Sequence, residues 1–511
     1  MTTLAAILQT IPQSTDYIRI LPELVLSAFG IVVMLLDPLV DEQQSRKSLS
    51  LIALVGTLAG LASTWYMAQH PGLAFSNMVR VDSFSVFFHV LVIAIAAVVI
   101  LISYEYMAVQ RIRAGEYYGL ILFGVVGMGL MSSAIELVLI FIALEISSIS
   151  SYVLAGFRRQ EAASSESSLK YFLLGSFATA FFLYGVALMF GATGSTNIDI
   201  ISQKLQSAPA PVLVYVAVAL MFVGLGFKVA AAPFHIWTPD VYEGAPAPIV
   251  GFMSTAPKAA AFAVLLRVVF AINAPGRFWL IWVAAALSMT LGNVGALVQN
   301  NVKRLLAYSS IAHAGYLLVA FAMLTPEDSV AGISAAMFYT AAYAAMNMGA
   351  FAVVSHFANA GERYVTLDDY EGLGRSSPLQ AAALTIFLLS LIGIPMTGGF
   401  FAKFYVFSAA IKADLIGLTL IGVINSAIGA YYYLRIIVVM YMREPRKEVP
   451  VTPVPFALGV ALAASIAATL YLGMLPNRVL QYTQDSAKSL LQPAPVQPSP
   501  ESPLDTAQTQ R

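Results

Sequence analysis

The sequence predicts an all-α polytopic membrane protein of about fourteen transmembrane helices. Three observations carry that prediction. Of the 511 residues, 59% are hydrophobic and only 11% are charged, against about 25% charged in a soluble chain. The run "SVFFHVLVIAIAAVVILISYEYM", Ser85 to Met107, exceeds the roughly 20 apolar residues that a bilayer crossing needs. Runs of the same kind recur along the whole body of the chain.

The N-terminal stretch "MTTLAAILQTIPQSTDYIRI" lacks a basic n-region and a small-residue cleavage site, so the first span, Ile18 to Leu36, reads as retained. Residues 1–110 then hold spans 1–3, 111–272 spans 4–8, 273–445 spans 9–13, and 446–476 the last span. After Asn477 the Pro-rich, polar "QPAPVQPSPESPL" predicts a disordered or extended tail over 477–511. Fourteen crossings put one set of basic residues on one face: Arg46, Lys47, Arg111, Arg113, Arg158, Arg159, Lys303, Arg304, Arg363, Arg375, Arg443, Arg446 and Lys447. The positive-inside rule makes that face cytoplasmic and places both termini opposite.

The totals also exclude chemistry. There is no cysteine, hence no disulfide, no thiolate-held iron–sulfur cluster and no thiolate-ligated haem. The five histidines lack metal-ligand spacing. There is no P-loop and no nucleophile elbow. Zero net charge gives no reason to expect nucleic acid as a partner. The "GLG" at Gly224 to Gly226 lies inside a span with no preceding strand, so it reads as close helix packing.

Two spans, the seventh and the twelfth, look interrupted. One carries Lys228 and then meets Pro233; the other has Pro395, Gly398 and Gly399 just before Lys403. Proline removes a backbone donor and breaks the helix, and open backbone at membrane depth survives only against protein or a water-filled cavity. Paired broken helices point to an ion path on an internal repeat. The two lysines are 175 residues apart, the length of five spans and their loops. Five is odd, which predicts two inverted five-helix repeats, spans 4–8 and 9–13.

A charge at the bilayer centre costs about 2.5–3.5 kcal/mol on insertion scales, so each ionisable residue in a span needs a reason. Glu145 lies well inside the fifth span and Lys228 in the seventh. Lys258 follows Pro257 in the eighth, where snorkelling to an interface is the alternative; the same alternative applies to Lys403. His313, 168 residues after Glu145, is either functional or a packing residue. His235 beside the first break suits a water-facing relay or a plain helix-end role, and Lys170 suits an interfacial anchor. Desolvation disfavours the charged form of lysine and glutamate alike, so such groups can trade protons near neutral pH. A row of them makes a proton relay at mid-membrane.

The stretches "GLGFKVAAAPFHIWTPDVYEGAPAP", "FMSTAPKAAAF", "QNNVKRLLAYSSIAHAGYLL" and "GIPMTGGFFAKFYVF" resemble the antiporter-like, proton-pumping membrane subunits of complex I. The wording is most similar to the subunit 2 (subunit N) branch in its photosynthetic form, from cyanobacteria and chloroplasts. The resemblance implies a relay of Glu145, Lys170, Lys228, Lys258 and Lys403, and makes Lys170 the partner of Glu145. It implies no cofactor in this chain, with iron–sulfur clusters and the quinone site in partner subunits. It further implies neighbouring membrane and peripheral subunits, among them other antiporter-like ones, and electron flow from ferredoxin or NAD(P)H to plastoquinone at a thylakoid membrane. Two other readings remain: a subunit of a multi-subunit cation/proton antiporter, and a purely structural membrane spacer.

Overall fold

The computed structural model describes residues 12–40, 42–110, 112, 115–207, 210–272, 277–323, 326–358, 360–445 and 453–491. Its helices, in chain order, are α1 Ser14–Arg19, α2 Leu21–Leu36, α3 Glu42–Ala68, α4 Ser83–Val109, α5 Gly115–Ser133, α6 Leu137–Ala155 and α7 Ala162–Thr193. There follow α8 Ile198–Ser207, α9 Val212–Val229, α10 Trp237–Gly244, α11 Ala247–Ala271, α12 Arg277–Leu297, α13 Val302–Val319 and α14 Pro326–Phe357. The last are α15 Leu373–Ser376, α16 Pro378–Ile392, α17 Gly398–Lys412, α18 Ile416–Met442, α19 Phe456–Met474 and α20 Pro476–Leu491. A two-stranded antiparallel hairpin, β1 Gly72–Ala74 and β2 Val79–Val81, joins α3 to α4.

Thirteen of the described helices are long and apolar enough to cross a membrane, and the half-helices α16 and α17 together make the fourteenth crossing. Both interruptions expected from Pro and Gly are present. Helix α9 stops at Val229, where Ala230 adopts a left-handed conformation, and α10 resumes at Trp237. Helix α16 stops at Ile392, and Gly393, at φ 94°, accepts the left-handed turn that closes the last turn's carbonyls. The two halves of the twelfth crossing then pass so close that a Cβ on Gly399 would meet the Ser390 carbonyl oxygen at 1.8 Å. Glycine is required there. Close packing also accounts for Gly224, whose Cβ would stand 2.6 Å from that of Phe182.

The centre of the molecule is α11, with α13 and α14 nearly as deeply enclosed. Such helices are apolar all round because every face meets protein. The outer helices keep one apolar stripe open: on α7 it includes Leu169, Leu173 and Phe177.

The tail expected over 477–511 needs correction. Residues 476–491 form α20, packed on α14 and α4, with Thr483 bonded to Ser334 at 2.9 Å and the Tyr482 hydroxyl donating to the Ser83 carbonyl at 3.2 Å. Val479, Thr483, Ser486, Ala487 and Leu490 recur at helical spacing and make the packed face; the Pro-rich composition begins only after it. The rest of the expected tail, together with Arg111, Arg113, Arg446 and Lys447, lies outside the described residues.

The described basic residues of the cytoplasmic set do share a face, but several are not solvated loop charges. Lys303 is buried, and its ammonium donates to Glu362 and the Ala245 carbonyl, both at 2.6 Å. Glu362 also takes Arg158 at 3.4 Å, the Tyr106 hydroxyl at 2.7 Å and the Ala247 backbone N–H at 2.7 Å. Arg304 reaches Asp240 and Glu243. One buried carboxylate in the loop after α14 thus ties together α4, the loop between α6 and α7, the start of α11 and the start of α13.

Candidate functional site

Lys228 occupies the last turn of α9, just before the break. Its ammonium donates to Ser148 Oγ of α6 at 2.9 Å and stands over the rings of Tyr171 and Tyr152, at 5.7 and 5.9 Å. Lys258, on the enclosed α11 and one residue after Pro257, donates to Ser310 Oγ and to the Ser310 carbonyl of α13, at 2.5 and 3.2 Å. The Tyr343 hydroxyl donates to the same Ser310 Oγ at 2.8 Å. Snorkelling is therefore not what Lys258 does.

One turn along α13 stands His313. Its Nδ1 meets the Tyr339 hydroxyl at 2.7 Å and its Nε2 the Tyr433 hydroxyl at 3.2 Å; Tyr433 is in turn bonded to Ser309. Between Lys258 and His313 lies a cavity of about 20 Å³, lined also by Thr255, Ser310 and Thr340. That is room for about one water. Lys403, in α17, reaches back over the second break to the Leu391 and Ile392 carbonyls, at 3.1 and 2.8 Å, and to Ser426 Oγ at 2.8 Å. Those carbonyls end α16 without helical partners, and a cation belongs there. The Lys403 ammonium also lies 4.9 Å from the Tyr316 ring centre.

These four groups form one buried row. Each lysine meets hydroxyls, carbonyls or ring faces, and none of the three is ion-paired among the described residues. Sequence reasoning missed the hydroxyls that hold them: Ser148, Ser310, Tyr339, Tyr343, Ser426 and Tyr433. The "YSSIAH" stretch held a signal for Ser310, one turn before His313; the tyrosines come from other helices and gave none.

The remaining expected residues stand apart. Glu145 lies on the α6 stripe of Ile142 and Ile149, which are 48% and 55% exposed; its Oε1 has no hydrogen-bond partner. Glu145 and Lys228 do not form an ion pair here. Lys170 corrects an expectation: its ammonium binds Glu166 at 2.7 Å and Asp240 at 2.8 Å, near the basic-loop end of α7, and not Glu145. It begins its helix, whereas Glu145 sits mid-helix, so chain geometry separates them. His235 lies at the rim of the first break beside the exposed Ile236, with Nδ1 unpartnered, and touches no member of the row.

The lysines are not positional equivalents either. Corresponding helix ends recur at a steady interval: Leu137 to Val302 is 165 residues, Ala162 to Pro326 is 164, and Val229 to Ile392 is 163. On that interval Ser310 corresponds to Glu145, and Leu391 to Lys228. Lys403 lies twelve residues further on, yet its ammonium binds the Leu391 carbonyl. It enters the equivalent place from the other half-helix.

The family model described as NADH:quinone oxidoreductase/Mrp antiporter, TM, matches residues 134–429, which include the whole row. The chain is 67% identical over 484 residues to NADH-quinone oxidoreductase subunit N 2 of Koribacter versatilis (strain Ellin345), covering 93% of this chain and 98% of that protein. It is 44% identical over 476 residues to NADH-quinone oxidoreductase subunit N of Trichlorobacter lovleyi (strain ATCC BAA-1151 / DSM 17278 / SZ), covering 92% and 96%. Among solved structures, a chain of respiratory complex I from Thermus thermophilus with bound aureothin matches with TM-score 0.77 at 38% identity, over 90% of this chain and 98% of that one. A chain of the Mrp complex from Dietzia sp. DQ12-45-1b shares the fold, with TM-score 0.78 at 21% identity, over 92% and 98%. The chain therefore belongs to the antiporter-like family of NADH:quinone oxidoreductase and Mrp membrane subunits, in its subunit N branch.

Proposed function

We propose that this chain is a proton-translocating membrane subunit of an NADH-quinone oxidoreductase of the complex I type. The observation that carries the proposal is the buried row Lys228, Lys258, His313 and Lys403, in which every cation site is held by neutral donors and acceptors. An acid locked to each lysine would keep it charged; hydroxyls and carbonyls leave protonation conditional on the surroundings. Glu145 is the row's entry on the α6 stripe, facing a neighbouring membrane subunit, and closing it onto Lys228 would load that lysine. Spans 4–8 and 9–13 form two inverted units, supported by the steady interval between their helices, and the basic loops face the cytoplasm.

On this reading the chain holds no redox group, and electrons travel in partner subunits. The motif wording favours a photosynthetic variant, in which ferredoxin or NAD(P)H reduces plastoquinone at a thylakoid membrane; the relatives' names favour NADH and the respiratory form. Purification of the intact complex, with quinone reduction from NADH and from ferredoxin measured side by side, separates the two. Replacing Lys228 by Ala in that complex, reconstituted into vesicles, should lower protons translocated per quinone reduced. An unchanged ratio in an assembled complex would sink the pump reading. Sodium-dependent exchange without redox activity would favour the cation/proton antiporter, whose fold is shared.

A further inference from the structure

A second buried acid–base cluster lies away from the lysine row, on spans that the row does not use. Glu23 of α2 and His89 of α4 meet at 2.7 Å, Oε1 to Nε2, and both side chains are almost wholly enclosed. His89 Nδ1 faces the Ser85 carbonyl at 2.8 Å and Ser132 Oγ of α5 at 3.0 Å. The Ser132 hydroxyl donates to the Gly129 carbonyl at 2.7 Å, so its lone pair is what Nδ1–H meets. With Nδ1 protonated, a single proton lies between Nε2 and Oε1, on either side, and the unit stays neutral. Gly129 makes room for the pair: a Cβ there would be 2.8 Å from Glu23 Oε1 and 3.0 Å from His89 Nε2.

The cluster has an outlet. Arg267 at the end of α11 donates from Nε to the Ser132 carbonyl at 2.9 Å and from Nη2 to Asp82 Oδ1 at 2.9 Å. Arg267 and the ion-paired Arg80 and Asp199 line a cavity of about 480 Å³, with Ser202, Gln203 and Gln206. This is the face of β1, β2, α8 and α20, opposite the basic loops. A network built for rigidity satisfies its members. Here Glu23 Oε2, Asp82 Oδ2, Arg267 Nη1 and Arg80 Nε are all buried without a hydrogen-bond partner, one after another from the pair to the cavity. Unsatisfied atoms at such a density call for mobile water and protons.

We propose that Glu23, His89 and Ser132 form a second proton-handling site, which connects the membrane interior to the polar cavity past Asp82 and Arg267. A proton arriving on Glu23 passes to His89 Nε2 while Nδ1–H leaves toward Ser132 Oγ, which imidazole can do because its two nitrogens act independently. The site rests on the pump reading, so its test carries a control. In vesicles holding the assembled complex, NADH-driven proton translocation per quinone reduced is measured for Glu23→Gln, His89→Gln, Ser132→Ala and Lys258→Ala. Glu23→Gln and His89→Gln should lose the same increment as Lys258→Ala, and Glu23→Gln combined with Lys258→Ala should lose no more than either alone.

A parental ratio in Glu23→Gln and His89→Gln, beside a lowered one in Lys258→Ala, overturns the second site and leaves the pump. A parental ratio in Lys258→Ala as well removes both. Should the acid and histidine variants fail to assemble, Ser132→Ala decides. It removes no charge and keeps the carbonyl that holds Arg267, so a lowered ratio supports the site and an unchanged one overturns it.

Discussion

A buried lysine without an acid beside it is costly to keep charged, and Lys258 is held only by one serine and one carbonyl. The serine would hydrogen-bond an amide as readily as an ammonium. Lys258→Gln should therefore assemble and reduce quinone while the proton-transfer rate through this chain falls by about 10²-fold, the usual weight of one acid–base group. Proton uptake per quinone reduced checks it, and an unchanged ratio would make the hydrogen bond, not the proton, the reason for the lysine. Tyr433→Phe removes the hydroxyl that joins His313 to Ser309. The expected outcome is a slower pump with no change in assembly, read from the same assay.

The two broken crossings are the elements that make the row. Helix α9 ends with Lys228 in its last turn, and α16 ends with carbonyls that Lys403 fills from α17. The second break depends on backbone passing backbone at Gly399. Gly399→Ala puts a methyl group into the Ser390 carbonyl, where no side-chain shift relieves it, and a destabilisation above about 4 kcal/mol follows. The expected outcome is failure to assemble, measured as loss of the chain from the purified complex. Ser390→Ala, which removes only the 3.1 Å bond from the Gly399 N–H, should cost about 1 kcal/mol, visible as a small drop in thermal midpoint.

On the scale of the whole molecule, Glu362 joins segments that are far apart in the chain. Burial alone would push its carboxyl up; the Lys303 ammonium and the Arg158 guanidinium outweigh that and hold it below the ordinary glutamate range. Because the folded value is the lower one, this stabilisation is complete above the unfolded value of about 4.3. It is lost as pH falls through the folded value. Thermal stability in detergent should thus be level from pH 6 to 8 on this account and fall steeply in acid. Glu362→Gln should cost about 3–5 kcal/mol at neutral pH, the penalty for breaking a buried pair, and should flatten the acid limb. A variant with parental neutral stability would show that the cluster is solvated.

Crossing number, the two breaks and the lysine, histidine and glutamate inventory were set by local chemistry: apolar length, proline, glycine and the rarity of charge in a span. Those signals act within a few turns of one helix and need no partner. The tertiary structure decided what each charge meets. It gave Ser148 and Ser310 to the lysines, tyrosines from two other helices to His313, and Asp240 rather than Glu145 to Lys170. It also showed α20 where composition suggested only tail, and brought Glu23 and His89, 66 residues apart, into contact. The physical reason is that a hydrogen bond between helices depends on how they pack side by side, and nothing in either strand of sequence alone encodes that neighbour.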